Sequence, residues 1–302
     1  MIIVGFLAAI VASISWAVSA AFYKIGAKDI SPLTSNLIRI LLPLLLFAIV
    51  SLIFNLYAFV FLLTIWDFLF IFASGLFAFV VGDALYFVTI KRIGISRGVP
   101  VTSIYPFFVL LLQILFLAQP VHILMLPAMI LTVTGVAIIG RQLDVPKEDE
   151  LALSKPQLLM GLVAGIATAF TWSISTLFLD VVLDKTNLFL VAVLRLALAV
   201  AVLTPLVVGQ QVIWKRDPLT KQHWIYLTMG GTVALAVGYV GFALALQLVD
   251  ITSATVLSSL TPLFALVIGW RSLKERVNAW TVLAVVASVL GVALITLAVS
   301  LV

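Results

Sequence analysis

The sequence contains no cysteine, so neither a disulfide nor a thiolate metal site is open to it. Histidine is nearly as scarce. His122 and His223 are the two copies and fall in different loops, which leaves zinc sites and histidine-based catalysis poorly supplied. Charge is thin as well: Lys, Arg, Asp and Glu make up 10% of residues, against about a quarter in a soluble domain. No phosphate-binding loop or other nucleotide motif occurs, which argues against direct ATP drive. What fills the chain instead is apolar. Of its 302 residues 64% are hydrophobic, more than a water-facing fold hides, so a bilayer is the expected solvent. A net charge of +5 would suggest nucleic acid in a soluble protein. Here the basic residues sit in short loops between apolar segments, where they report membrane orientation.

Charged or turn-rich breaks divide the chain into ten stretches, each near the roughly 20 residues a spanning helix needs. They run from Ile2 to Tyr23, Leu33 to Phe54, Phe68 to Ile90, Val99 to Ala118 and Ile123 to Gly140. The second set runs from Leu158 to Leu179, Leu188 to Val208, Trp224 to Leu246, Thr255 to Trp270 and Ala279 to Val302. Ser19-Ala20-Ala21 after the first apolar run resembles a cleavage site, but no basic region precedes it, so the first stretch reads as an uncleaved helix. Asn55 to Trp66 is apolar almost throughout and reads as an interfacial piece between the second and third helices. The longest polar segment carries Pro146-Lys147-Glu148-Asp149-Glu150 and reads as a solvated linker.

Shifted by 156 residues, the chain superposes on itself without a gap. Gly5 meets Gly161, Trp16 meets Trp172, Ser19 meets Ser175, Phe22 meets Phe178 and Arg39 meets Arg195. Gly75 and Gly82 meet Gly231 and Gly238; Ser103 and Pro106 meet Ser259 and Pro262; Gly135 meets Gly291. Recurrence of Trp, Pro and intramembrane Arg at one offset is not a product of compositional bias. The expected organisation is a first five-helix repeat over residues 1–143, a polar linker over 144–156 and a second five-helix repeat over 157–302. An odd number of helices per repeat sends the second half into the membrane from the opposite side. The expected fold is therefore an all-α integral membrane protein of ten transmembrane helices, two inverted repeats around a central cavity, an architecture that suits alternating access.

Fourteen of the seventeen Lys and Arg residues lie in the loops after odd-numbered helices; the opposite loops hold only Lys185, and Arg39 and Arg195 lie within helices. The positive-inside rule then puts both termini outside a multi-pass plasma-membrane protein.

The run Thr252 to Trp270, with Ser258, Pro262 and Phe264, is followed by Leu273-Lys274-Glu275-Arg276-Val277 and a closing helix with Gly291-Val292-Ala293-Leu294-Ile295. The first half repeats this loosely in Ser103-Ile104-Tyr105-Pro106-Phe107-Phe108 and Gly135-Val136-Ala137-Ile138-Ile139, with Ala118-Gln119-Pro120-Val121 at the turn. These motifs resemble the EamA branch of the drug/metabolite transporter superfamily, with Lys274 where a Gly is usual. The resemblance covers the full chain. It implies ten helices in two inverted repeats and export or exchange of amino acids, sugars or related metabolites. It also implies cytoplasmic termini for bacterial members, the reverse of the charge count. The first helix lacks the membrane glutamate that the related small multidrug exporters carry, which argues against cationic-drug antiport.

Charges inside helices cost about 2.5–3.5 kcal/mol on insertion scales and mark candidate sites. Arg39 and Asp83 lie at similar depth on adjacent helices, and form either a structural ion pair or a gate that responds to protons; snorkelling is a further option for Arg39. The mate of Asp83 is Tyr239, so Arg195 has no matching acid and is the candidate partner for an anionic substrate group, unless it snorkels. Trp16 and Trp172 sit mid-helix beside Ser19 and Ser175 and either line a cavity or pack the repeats together. Tyr105 and Tyr239 are further cavity candidates. Pro106 and Pro262 interrupt the fourth and ninth helices and are candidate bending points, with Ser103, Tyr105, Ser259 and Thr261 able to satisfy the backbone groups they free. Gly161 and Gly165 read as close-packing positions. No metal and no cofactor is expected. The expected function is secondary transport of small metabolites, amino acids or related compounds, by a functional monomer in the lipid bilayer, with a proton as candidate coupling ion. A carrier of phosphorylated sugars or lipid-linked intermediates would need more than one cavity cation. An intramembrane enzyme would need converging acids or a Ser/Lys pair, and a structural or receptor bundle would need no cavity.

Overall fold

A computed structural model describes residues 1–117, 154–213, 217–273 and 279–300, with Leu124, Pro127, Ile130, Leu131, Thr134 and Ile138. The expected fifth helix, isolated positions aside, lies outside the described residues. So do His122, Gly135, the charged linker up to residue 153 and the Lys274-Glu275-Arg276-Val277 turn.

With no water to accept them, backbone amides in a bilayer bond within their own segment, and all regular structure among the described residues is helical. The helices are α1 (Ile2–Gly26), α2 (Pro32–Ile53), α3 (Ile65–Ile93), α4 (Ile95–Thr102), α5 (Tyr105–Leu117), α6 (Lys155–Leu183), α7 (Leu188–Ile213), α8 (Lys221–Leu248), α9 (Ile251–Ser258), α10 (Thr261–Leu273) and α11 (Ala279–Ser300). Seven stretches among the described residues are long and apolar enough to cross a membrane: α1, α2, α3, Arg97–Phe116 across α4 and α5, α6, α7 and α8. Ile251–Ala265 and Val282–Gly291 are shorter apolar helices. The piece expected between the second and third helices is a 3₁₀ turn, Leu56–Leu62, with Phe61 and Leu62 exposed.

Which side chains point inward identifies the solvent. In α1 the buried residues include Gly5, Ala9, Ala12, Ser13, Ser15, Ala17, Ser19 and Ala20, while Ile2, Ile3, Phe6, Leu7, Val11 and Ile14 are exposed. Water would reverse that pattern. In lipid, large apolar residues gain nothing by turning inward, and small ones let backbones approach.

The main packing of each long helix crosses the 118–153 stretch. α1 packs on α8, α9 and α10; α6 packs on α3, α4 and α5; α2 meets α7 and α8; α3 meets α7. Glycines make these crossings close. A Cβ on Gly231 would lie 1.8 Å from the Arg39 carbonyl oxygen, and one on Gly75 would lie 3.1 Å from that of Arg195. A Cβ on Gly82 would meet the Trp172 indole at 2.7 Å, and one on Gly238 the Trp16 indole at 2.6 Å. Gly161 and Gly165 pack as expected, against Ile93 and Val101.

Two features depart from the sequence reading. α3 and α8 each carry a π-helical turn, Leu76–Gly82 and Val233–Tyr239, at mid-length. The wider turn frees carbonyls for side-chain donors: Asn36 Nδ2 donates to Phe79 O (2.5 Å) and Trp16 Nε1 to Ala234 O (3.1 Å). The second departure concerns the prolines. The fourth and ninth helices start earlier than expected, at Ile95 and Ile251, and each is two helices, parted at Ser103–Ile104 and Ser259–Leu260. Pro106 and Pro262 are the second residues of α5 and α10, where a missing N–H costs no intrahelical bond. The prolines therefore start helices rather than kink them. Thr261 Oγ1 donates to the freed Ser258 carbonyl (2.7 Å), as the sequence suggested. Gly94, at φ 75°, makes the corner between α3 and α4, a conformation that favours glycine.

Gly231→Ala should lower the thermal unfolding temperature in detergent, by an overpacking cost of about 1–3 kcal/mol. Gly209→Ala, with nothing within 4 Å of the new Cβ, should leave it unchanged or raise it through helix propensity, by up to about 1 kcal/mol. Equal effects would show that the α2–α8 crossing is not backbone-tight.

Candidate functional site

The crossings enclose a central cavity of about 950 Å³ of atom-free space, open solvent at its mouth included. Of the expected site residues, Trp16, Ser19, Arg39, Asp83, Tyr105, Trp172, Ser175, Arg195 and Tyr239 all line it; Pro106 and Pro262 do not. Tyr23, Phe79, Tyr86, Leu179 and Phe242 also line it and were not anticipated. Phe79 lies in the π turn Leu76–Gly82, which has no periodic signal in the sequence.

Arg39 and Arg195 are 4% and 2% exposed, so neither snorkels to the membrane surface. Their surroundings differ. Every nitrogen of Arg39 is bonded: Nε donates to Asn36 Oδ1 (3.0 Å), Nη1 to Tyr23 Oη (2.9 Å) and Nη2 to Asp83 Oδ2 in a buried ion pair. Trp172 Nε1, from α6, donates to the other carboxylate oxygen of Asp83 at 3.2 Å. The rings of Tyr23 and Phe87 lie 5.3 and 5.7 Å from the guanidinium carbon. Charge, hydrogen bonds and aromatic faces are all matched, and the network joins α2, α3 and α6.

Arg195 meets no acid among the described residues. Its Nη2 donates to Ser175 Oγ (2.9 Å) and to Ser74 O (3.3 Å). Nε and Nη1 are buried without a hydrogen-bond partner among the described residues. The rings of Phe79 and Tyr239 lie 4.7 and 5.4 Å from its guanidinium carbon, and the Tyr239 hydroxyl donates to Leu188 O (3.2 Å). At the 156-residue offset, the three partners of Arg39 (Tyr23, Asn36 and Asp83) correspond to Leu179, Ala192 and Tyr239. The first two changes remove an acceptor that Arg39 uses, and the third replaces a carboxylate by a phenol.

The remaining polar groups are mostly committed. Ser19 donates to Ser15 O (2.6 Å), Ser175 to Ser74 O (2.7 Å) and Thr176 to Trp172 O (2.9 Å). Tyr105 donates to Thr255 O (3.1 Å) and touches Ser258, tying α5 to α9. The two indoles each pack at a tilt against an aromatic neighbour, Trp16 against Phe242 and Trp172 against Tyr86, both with ring centroids 5.4 Å apart. Each Trp thus lines the cavity and packs the two sides together. No cluster of His, Cys, Asp and Glu that would hold a metal occurs among the described residues.

A family model for EamA-like transporters matches the chain twice, over residues 3–141 and 159–297. The chain belongs to the EamA-like transporter family. It is 26% identical over 297 residues to an uncharacterized transporter of Archaeoglobus fulgidus, covering 96% of this chain and 97% of that protein. A solved crystal structure shares the fold of this EamA-like chain with a TM-score of 0.70 at 14% identity, over 98% of each chain.

Removing one member of a buried ion pair costs about 3–5 kcal/mol. Arg39→Gln should lower the unfolding temperature sharply, and adding Asp83→Asn should recover part of the loss. Arg195→Gln, which strands no carboxylate, should cost far less. A full set of unfolding curves in one detergent decides it; equal losses at the two arginines would mean that Arg195 too is held by a charge partner.

Proposed function

We propose that this EamA-like chain is a secondary transporter of small metabolites bearing a carboxylate, amino acids and related compounds, working by alternating access. Arg195 is its anion-binding residue. The observation that carries this reading is a buried guanidinium on the wall of a central cavity, with no acid beside it and two nitrogens unbonded among the described residues. An unpaired buried cation is costly unless a ligand completes it. Trp16, Trp172, Phe79 and Tyr239 form the apolar walls, while Ser175 positions the guanidinium. Arg39 and Asp83 act at the junction between the moving parts, with Asp83 as the candidate proton-coupling group.

The reading includes ten transmembrane helices in two inverted repeats, residues 1–143 and 157–302, joined by a linker over 144–156. Support comes from the double family match and from the exchanged contacts. Gly82 against Trp172 mirrors Gly238 against Trp16, and Gly75 against Arg195 mirrors Gly231 against Arg39. Contacts of this reciprocal kind arise when two similar units face each other about a two-fold axis, the arrangement that lets one scaffold open to either side. Because the two halves together enclose the cavity, a monomer suffices. One uncompensated cavity cation argues against a carrier of phosphorylated sugars, and no converging set of acids supports catalysis. The distribution of basic loops supports both termini outside the plasma membrane.

Reconstituted in liposomes, the protein should take up labelled amino acids or organic acids saturably, and Arg195→Gln should abolish uptake while preserving the monodisperse fold. Absence of flux across such a panel would remove the transport reading. The absence of cysteine provides a clean background for topology. A cysteine placed at the exposed Asp184 should react with an impermeant maleimide on intact cells and one at the exposed Lys28 should not; the opposite pattern would invert the orientation.

A further inference from the structure

The charges and donors of the cavity identify the ligand more narrowly than its shape does. Among the described residues lining it, the charged groups are Arg39, Asp83 and Arg195. Asp83 is fully used: Oδ2 pairs with Arg39 and Oδ1 accepts from Trp172 at 3.2 Å. The described lining is therefore left with one positive charge, on Arg195. An amino acid enters as a zwitterion and leaves that charge where it was. It also brings an ammonium that needs acceptors and finds no free carboxylate, in a site that already holds two guanidinium groups. A hydroxyl oxygen can accept from an ammonium but neutralises nothing. A dicarboxylate or phosphate monoester overshoots and leaves net negative charge buried. A monoanion brings the site to zero.

The donor geometry agrees. Nη2 of Arg195 is taken by Ser175 and Ser74, while Nε and Nη1 are buried without a hydrogen-bond partner among the described residues. Both forked faces of a guanidinium use Nη2, so an anion that reaches the unpartnered donors meets them through single oxygens. Beyond Arg195 the wall includes hydroxyl side chains such as Ser19, Thr102, Ser103 and Thr261, and its large apolar faces are Phe79, Leu179, Trp172, Tyr86, Trp16 and Phe242. Apart from the two indole N–H groups and the Tyr86 hydroxyl, these faces present apolar surface. Of those, Trp16 Nε1 is occupied by Ala234 O (3.1 Å) and Trp172 Nε1 by Asp83. A ligand lying against them needs an apolar, preferably flat, body.

We propose that the occupant is a monocarboxylate with an aryl or branched-alkyl body and no amino group, and that the cavity discriminates against the amino acid of the same skeleton. The proposal rests on reading Arg195 as the anion partner. It narrows the class of carboxylates named above to those without an ammonium.

Binding to the purified full-length chain in detergent, followed by titration calorimetry at neutral pH, tests this with matched ligands. They are 3-phenylpropanoate, its neutral amide, phenylalanine and 2-phenylethylamine, with 4-methylpentanoate and leucine as the alkyl pair. The acids should bind at least about tenfold tighter than the matched amino acids, a difference of about 1.4 kcal/mol. The amide and the amine should bind more weakly still. Phenylalanine and leucine binding as tightly as the acids, or tighter, would overturn the proposal and leave the carboxylate transporter standing. The amide binding as tightly as its acid would overturn the anion role of Arg195, and with it both readings; this comparison needs no variant. Arg195→Gln should reduce acid binding to the level of the amide. Retention of full affinity in that variant would likewise remove Arg195 from the site.

Discussion

A guanidinium inside a membrane-spanning bundle has to find its acceptors in protein or ligand, because lipid supplies none. The centre of this chain is arranged around two such groups. Arg39 is completed internally by Asn36, Tyr23 and Asp83, and Trp172 reaches across from α6 to complete the carboxylate. Arg195 is anchored at one nitrogen, and the other two are buried without a partner among the described residues. The same backbone setting, a glycine of a facing helix pressed against the arginine main chain, holds both. The difference lies in the side chains around them.

The π turns connect this electrostatics to packing. A straight α-helical α3 would keep its carbonyls bonded within the helix. The turn at Leu76–Gly82 instead offers Phe79 O to Asn36, which in turn holds Arg39 Nε. The turn at Val233–Tyr239 offers Ala234 O to Trp16. The glycines at 82 and 238 leave room for the indoles to come against these helices. Backbone irregularity, small residues and large aromatic rings thus form one device, tolerated at membrane depth because the freed carbonyls are met by protein donors.

Much of this could be read from the residues. A chain this poor in charge must be solvated by lipid, and the recurrence of Trp and Arg at one offset pointed to residues that meet at the cavity. The ion pair of Arg39 and Asp83 was one of the options that their similar depth left open, favoured by the cost of an unpaired buried charge. What could not be read has a common cause. The π turns carry no periodic signal, because one extra residue in a turn leaves hydropathy unchanged. Tyr23 and Asn36 looked like ordinary helix residues until α1, α2 and α3 were brought together. The prolines misled because a proline inside a long apolar run reads as a kink, whereas the chain had already broken before it, at Ser103–Ile104 and Ser259–Leu260. The snorkelling alternative failed because it concerns which way an arginine points, and helix position does not set that.

The comparison of the two arginines also says what a ligand of Arg195 has to resemble. Around Arg39 the protein shows its own solution for a guanidinium at this depth: one carboxylate, held on one oxygen by the arginine and on the other by an indole N–H. Around Arg195 the carboxylate is missing, replaced in the sequence by Tyr239, whose ring lies against the guanidinium without neutralising it. A ligand carboxylate arriving from the cavity would supply the same charge that Asp83 supplies on the other side. It would stabilise the bundle as Asp83 does, with the difference that it can leave.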